Sequence, residues 1–193
     1  VGQALAVHFG QRCRQTIVTA RSETHLRHTE DHVRSHGGSC EFIAADLTDR
    51  GSIEALAATL RQRNISIDVL VHNAADVTSK PFAETSLGEI DCLIRTNVIG
   101  PLQLTRDSLG LWREDGLKTL VFISSLAGYK PDPRQTVYSI SKAAVNATAL
   151  ALRAELGPRG FTVINAALSS VDLNDIGSRG RVPVHRVCER IER

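Results

Sequence analysis

Residues Thr119–Lys142 read TLVFISSLAGYKPDPRQTVYSISK, and the two ends of the stretch follow different rules. Thr119–Ile123 (TLVFI) is an unbroken run of apolar and β-branched residues, as a strand covered on both faces requires. It runs into the polar pair Ser124-Ser125. From Thr136 the spacing becomes that of an Ala-rich helix, which continues to Leu156 and stops at Gly157-Pro158. The loop between them, Lys130–Arg134, carries two prolines and is stiff. A buried strand that hands over to an amphipathic helix is half of a βαβ unit.

The same alternation extends outward in both directions. Val1–Arg12 reads as a helix, Thr16–Thr19 as a strand, and Glu23–His36 as a polar helix ended by Gly37-Gly38. Glu41–Ala45 is a second strand and Ile67–Val71 a third, with a helix over Asp49–Arg63 between them. In that helix Ile53, Leu56, Ala57 and Leu60 keep helical spacing. Leu87–Trp112 is a long helical pattern interrupted at Gly100-Pro101, where a kink is expected. Phe161–Ala167 is the last clear strand. Leu168–Arg193 is polar and weakly patterned, with one short helix expected from Val184. Continuous apolar strands between helices predict an α/β fold, a doubly wound parallel sheet with helices on both faces. Residues 1–193 form one domain in this reading, with no repeat or linker.

Bulk composition narrows the function. Hydrophobic residues make up 42% of the 193, enough for a core, and the net charge is +2. Scattered bases and 4% aromatic residues argue against nucleic acid as a partner. Cys13, Cys40, Cys92 and Cys188 are far apart in sequence, so no metal site or redox pair is expected from them. No apolar run reaches the ~20 residues of a membrane span. No basic-then-apolar leader opens the chain, and a cytoplasmic protein without a membrane partner is expected. The chain begins at Val1 and contains no methionine, which suggests a fragment.

Ligands of parallel α/β sheets bind beyond the carboxyl ends of the strands. That rule selects Ala20-Arg21, Asp46, Asn73, Ser124-Ser125 and Leu168-Ser169. Tyr138 and Lys142 lie four apart in a helix, so they project from one face. A phenol is a poor acid or base near neutrality, and a nearby ammonium favours its ionised form. Such a pair can pass a proton to a carbonyl oxygen or take one from an alcohol. Alone, this spacing is common on solvated helix surfaces. Ser125, just past a strand, can hold a substrate oxygen or simply close a turn. Asn73 precedes small residues that let a bulky ligand approach. Asn97, an indifferent helix former, can bind a backbone carbonyl or a water.

Taken together, these residues resemble the short-chain dehydrogenase/reductase family, with matches in family order from Val1 to about Leu173. Val1-Gly2 resembles the end of its glycine-rich loop. Asp46-Leu47-Thr48-Asp49 resembles the adenine-contacting segment, and His72-Asn73-Ala74-Ala75 resembles N-N-A-G. Asn97-Val98-Ile99-Gly100 resembles N-V-x-G, and Tyr138–Lys142 is the Y-x-x-S-K form. The resemblance implies a Rossmann-type, NAD(P)-binding domain whose first strand is missing from this chain. It implies an oxidoreductase that moves hydride between a nicotinamide and a small-molecule carbonyl or alcohol. Asn97, Ser125, Tyr138 and Lys142 would form the catalytic set. Tyr138 would be the general acid or base, and Lys142 would tune it and meet the nicotinamide ribose. Ser125 would orient the carbonyl, and Asn97 would hold a water leading to Lys142. Gly2, Arg21, Asp46, Leu47, Asn73, Ala74, Ala75 and the Val171 backbone would join Tyr138 and Lys142 in binding cofactor.

Arg21, with no acid before Glu23, favours NADP(H) over NAD(H), because an arginine there accommodates a 2′-phosphate. The long helices imply pairing into a homodimer or homotetramer. The sequence also departs from the family. Most of the phosphate loop is absent, Ala75 replaces a glycine, Leu168-Ser169 stands for P-G, and Leu173 stands for a threonine. A second reading is therefore a catalytically impaired, truncated member that acts through protein–protein interaction. A third is an epimerase or dehydratase of the superfamily's extended branch.

Overall fold

A computed structural model describes residues 1–169 with the backbone of strand residues 171–172 and 182–183. Leu173, Cys188 and the helix expected from Val184 lie outside the described residues. The chain divides into two compact units, Val1–Asp46 with Ser169–Arg193, and Leu47–Leu168.

In the first unit, helix α1 (Gly2–Gly10) leads to strand β1 (Thr16–Val18), helix α2 (Glu23–Ser35) and strand β2 (Cys40–Phe42). β1 and β2 pair in parallel, Thr16 opposite Cys40 and Val18 opposite Phe42. The second strand was expected over Glu41–Ala45. Its regular part is shorter, but Ile43 N–H donates to Val18 O and Ala45 N–H to Ala20 O, so pairing continues to Ala45. Ala6, Val33 and Cys40 are buried together. α2 starts where the Ser22 side chain accepts from His25 N–H, and it ends at Gly37, whose φ of 80° suits a residue without a Cβ. β6 (Val171–Asp172) and β7 (Val182–Pro183) form a further parallel pair.

The second unit holds a three-stranded parallel sheet in the order β3 (Val69–His72), β4 (Thr119–Ser125), β5 (Thr162–Leu168). Helix α3 (Arg50–Gln62) begins at Asp49, whose carboxylate accepts from Ser52 N–H at 2.9 Å. Its buried residues are Ile53, Leu56, Ala57 and Leu60, the four with helical spacing. Helix α6 (Thr136–Leu156) packs Val145, Ala149 and Leu156 onto Leu120, Phe122, Phe161 and Val163. Leu120 and Ala149 are fully buried, so this layer is the heart of the core.

Two features differ from the sequence reading. β4 runs on through Ser124 and Ser125, because Ala167 and Leu168 of β5 still offer them ladder partners. The long helix is not interrupted at Gly100-Pro101 but widens just before it. Helix α4 (Leu87–Ile94) passes through a π-turn over Arg95–Ile99 into helix α5 (Gly100–Ser108), and Gly100 N–H donates to Arg95 O while the backbone stays helical. The π-turn directly before Pro101 is the local adjustment that goes with a residue lacking an N–H. Gly100 is required by close approach: a Cβ there would stand 2.5 Å from Leu47 O. Parallel strands alternating with helices in both units are the Rossmann-type α/β architecture.

Candidate active site

α6 turns Lys142 inward against β4. The side chain is 3% exposed, and Nζ donates to Ile123 O at 2.9 Å. Nζ also lies 5.7 Å from the centre of the Tyr138 ring, one helical turn earlier. Burial pushes the Lys142 ammonium down to about 8. Only one of its three N–H donors is used by the described residues, so two are left for a ligand in a nearly dry place. Tyr138 is half-buried.

Ser125 stands at the carboxyl end of β4, two residues beyond the carbonyl that holds Lys142. Its Oγ accepts from Ala127 N–H at 3.1 Å and so caps the short turn Leu126–Gly128. That turn lies flat on α6, because a Cβ on Gly128 would be 2.7 Å from the Lys142 backbone carbon and from Asn146 Nδ2. Beneath it, buried Ser124 donates to Asn146 Oδ1 at 2.6 Å, and Asn165 Nδ2 donates to the same oxygen at 2.9 Å. β4, β5 and α6 are thereby clamped under Ser125.

Asn97 sits in the π-turn, 2% exposed. Its Oδ1 accepts from Asp76 N–H at 2.7 Å, and its Nδ2 donates to Asp76 O and Ser141 Oγ, each at 2.9 Å. Ser141 Oγ in turn donates to Tyr138 O at 2.7 Å. Both Nδ2 hydrogens have protein acceptors, so the side chain acts as a latch. It fixes the segment after β3 to the turn of α6 that carries Tyr138. The backbone carbonyl at Asp76 is the kind of partner expected for Asn97.

At the end of β3, His72 is buried, stacked on Phe122 and 2.8 Å from Thr105 Oγ1. Thr105 Oγ1 gives its hydrogen to Pro101 O, so His72 Nε2 is the donor. Burial lowers His72 to about 3, and the ring is neutral. Asn73 is half-buried, and Ala74 and Ala75 are exposed, leaving the backbone beyond β3 open to a ligand. Leu47 is half-buried under Gly100.

In the other unit, Gly2 opens α1, Arg21 is exposed between β1 and α2, and Asp46 is half-buried. Val171 pairs with Val182 through the backbone. The structure thus gathers Asn97, Ser125, Tyr138 and Lys142 around one strand end and one helix. It adds Asp76, Ser141, Asn146 and Asn165, which sequence reasoning missed. Only Ser141 had a signal, three residues after Tyr138 on the same helix. The open backbone beyond β3 and the unmet Lys142 donors fit a nicotinamide dinucleotide.

Known proteins share this fold and sequence pattern. The sequence pattern of the family described as short chain dehydrogenase matches residues 1–179. The ketoacyl reductase HetN of Nostoc sp. is 33% identical over 147 residues, which cover 76% of this chain and 51% of that protein. The chain thus spans about half of that relative's length. The bulky-bulky ketone specific alcohol dehydrogenase of Comamonas testosteroni superposes with a TM-score of 0.85 at 25% identity, over 97% of this chain and 75% of that one. A metagenomic short-chain oxidoreductase solved in complex with NADP gives 0.82 at 26% identity, over 99% and 83%. The chain belongs to the short-chain dehydrogenase family, a family of oxidoreductases.

Proposed function

We propose that this chain, as a single dinucleotide-binding domain, is the working part of an NADP(H)-dependent oxidoreductase that interconverts a small carbonyl compound and the corresponding secondary alcohol. The observation that carries this reading is the buried Lys142 ammonium against the Tyr138 ring, next to the strand end bearing Ser125. Tyr138 gives its phenolic proton to the carbonyl oxygen in reduction and takes it back in oxidation. Lys142 stabilises negative charge on the phenol oxygen, and its two unused N–H groups would hold the nicotinamide ribose. Ser125 donates to the substrate oxygen and orients it. Asn97 keeps the Tyr138 turn in register through Ser141. A bound nicotinamide would be the hydride donor or acceptor.

Ala74, Ala75, Asn73 and Leu47, with Gly2, Asp46 and the Val171 backbone, are assigned to cofactor binding. Arg21 is assigned to the 2′-phosphate, which makes NADP(H) the preferred form. A carbonyl screen with NADPH and NADH tests both claims. Reduction with NADPH in excess of NADH is expected, and Arg21→Glu should cut that preference at least ~10-fold, about one charge-assisted hydrogen bond. Equal use of both cofactors by the wild type would refute the NADP(H) assignment.

The chain is also assigned to a homodimer or homotetramer. A groove of about 560 Å³ runs along α5, the π-turn and α6, with Ile99, Leu102 and Leu152 in its apolar lining. Ile140 and Leu150 are exposed on α6. Light scattering that reads a monomer at working concentration would remove this assignment. No helix among the described residues is long and apolar enough to cross a membrane, and a cytoplasmic location is proposed.

A further inference from the structure

Helix α2 buries only Leu26 and Val33. On its exposed side His28, His32 and the capping residue His36 recur every four residues, so their rings stand one above another. The His32 and His36 ring centres are 4.5 Å apart, and those of His28 and His32 are 6.3 Å apart. His36 Nδ1 lies 2.8 Å from His32 O. A carbonyl only accepts, so Nδ1 carries the hydrogen and Nε2 keeps its lone pair outward. Metal-binding histidines are ordinarily held this way, the second ring nitrogen donating to a carbonyl or carboxylate. His28 is engaged differently, because Gln3 Nε2 sits 3.0 Å from its Nδ1 and makes that nitrogen the acceptor. The pair lies at the carboxyl end of a 13-residue helix, where the helix dipole favours a cation.

We propose that His32 and His36 chelate a divalent transition ion of the zinc, nickel or copper type on the surface of α2. Two imidazoles one turn apart on one helix face are the core of helical zinc sites, and imidazole suits these three ions. The two imidazoles supply two ligands, and the proposed site leaves its other positions to water. Bound ion would tie the last turn of α2 together. It would favour the folded chain by mass action, since the paired geometry is lost on unfolding.

The test is calorimetric titration of the untagged chain with Zn²⁺, repeated on variants. One ion per chain is expected. His32→Gln should weaken binding at least ~10-fold, as loss of a ligand or its support does. His36→Gln should do the same, whereas His25→Gln should leave it unchanged. Zn²⁺ should raise the unfolding temperature of the wild type and not that of His32→Gln. These side chains are exposed, so circular dichroism of each variant should match the wild type. The proposal is overturned if His32→Gln and His36→Gln bind like the wild type. Binding undiminished in denaturing urea, or several ions of equal affinity, overturns it too.

Discussion

Helices α6 and α2 handle polar side chains in opposite ways. α6 buries Ser139, Ser141, Lys142 and Asn146, and each makes at least one hydrogen bond, Asn146 through Oδ1 while its Nδ2 has no partner among the described residues. α2 buries two apolar residues and leaves His25, His28, His32 and His36 at the surface. A buried polar group costs little while partnered and about 1–3 kcal/mol when a partner is removed. The α6 side of the molecule is therefore intolerant of change, and its side chains are held where chemistry needs them. On α2 the polar residues are free to vary without disturbing the core.

That contrast can be broken most severely at Asn97. Asn97→Leu takes the side-chain partner from Asp76 N–H and Asp76 O and one donor from Ser141 Oγ, which still donates to Tyr138 O. A loss of about 4 kcal/mol in denaturant unfolding is expected, since three polar groups each lose a partner. Any residual turnover should fall through kcat.

Lys142 gives the next largest effect, and it depends on pH. Burial makes the folded chain release this proton near pH 8, whereas the unfolded chain keeps it to 10.5. Between these values the unfolded state binds more protons, so stability rises with pH. Wild type minus Lys142→Met should gain up to about 3 kcal/mol across that window, at 1.4 kcal/mol per unit. A flat difference would mean that Lys142 is solvated. At the other extreme, His28→Gln should move stability by no more than about 0.5 kcal/mol, because an exposed side chain is exchanged.

The sequence made much of this legible. Runs such as TLVFI announced their strands, because burial on both faces demands apolar, β-branched residues. Helical geometry puts Tyr138 and Lys142 on one face, and the company of Ser125, Asn73 and Asn97 in family order set that pair apart from an ordinary helix surface. The Asp76–Asn97–Ser141 latch was not, since its members lie 21 and 44 residues apart and meet only in the fold. The extension of β4 through Ser125 was hidden for the same reason: β5 provides the partners. The π-turn escaped because a five-residue turn leaves almost no trace in a helical apolar pattern. Arg21 and Asp46 were picked out by strand-end position, Arg21 also as a 2′-phosphate ligand and Asp46 also by the family's adenine-contacting pattern.

The most direct test of the account is a single-turnover comparison of the wild type with Tyr138→Phe, reading loss of NADPH absorbance with a carbonyl substrate the wild type reduces. Removing the phenolic proton should slow the step about 10²–10⁴-fold while NADPH binding stays within about twofold. A Tyr138→Phe chain that reduces the carbonyl at the wild-type rate would contradict the assignment of Tyr138 as the proton donor.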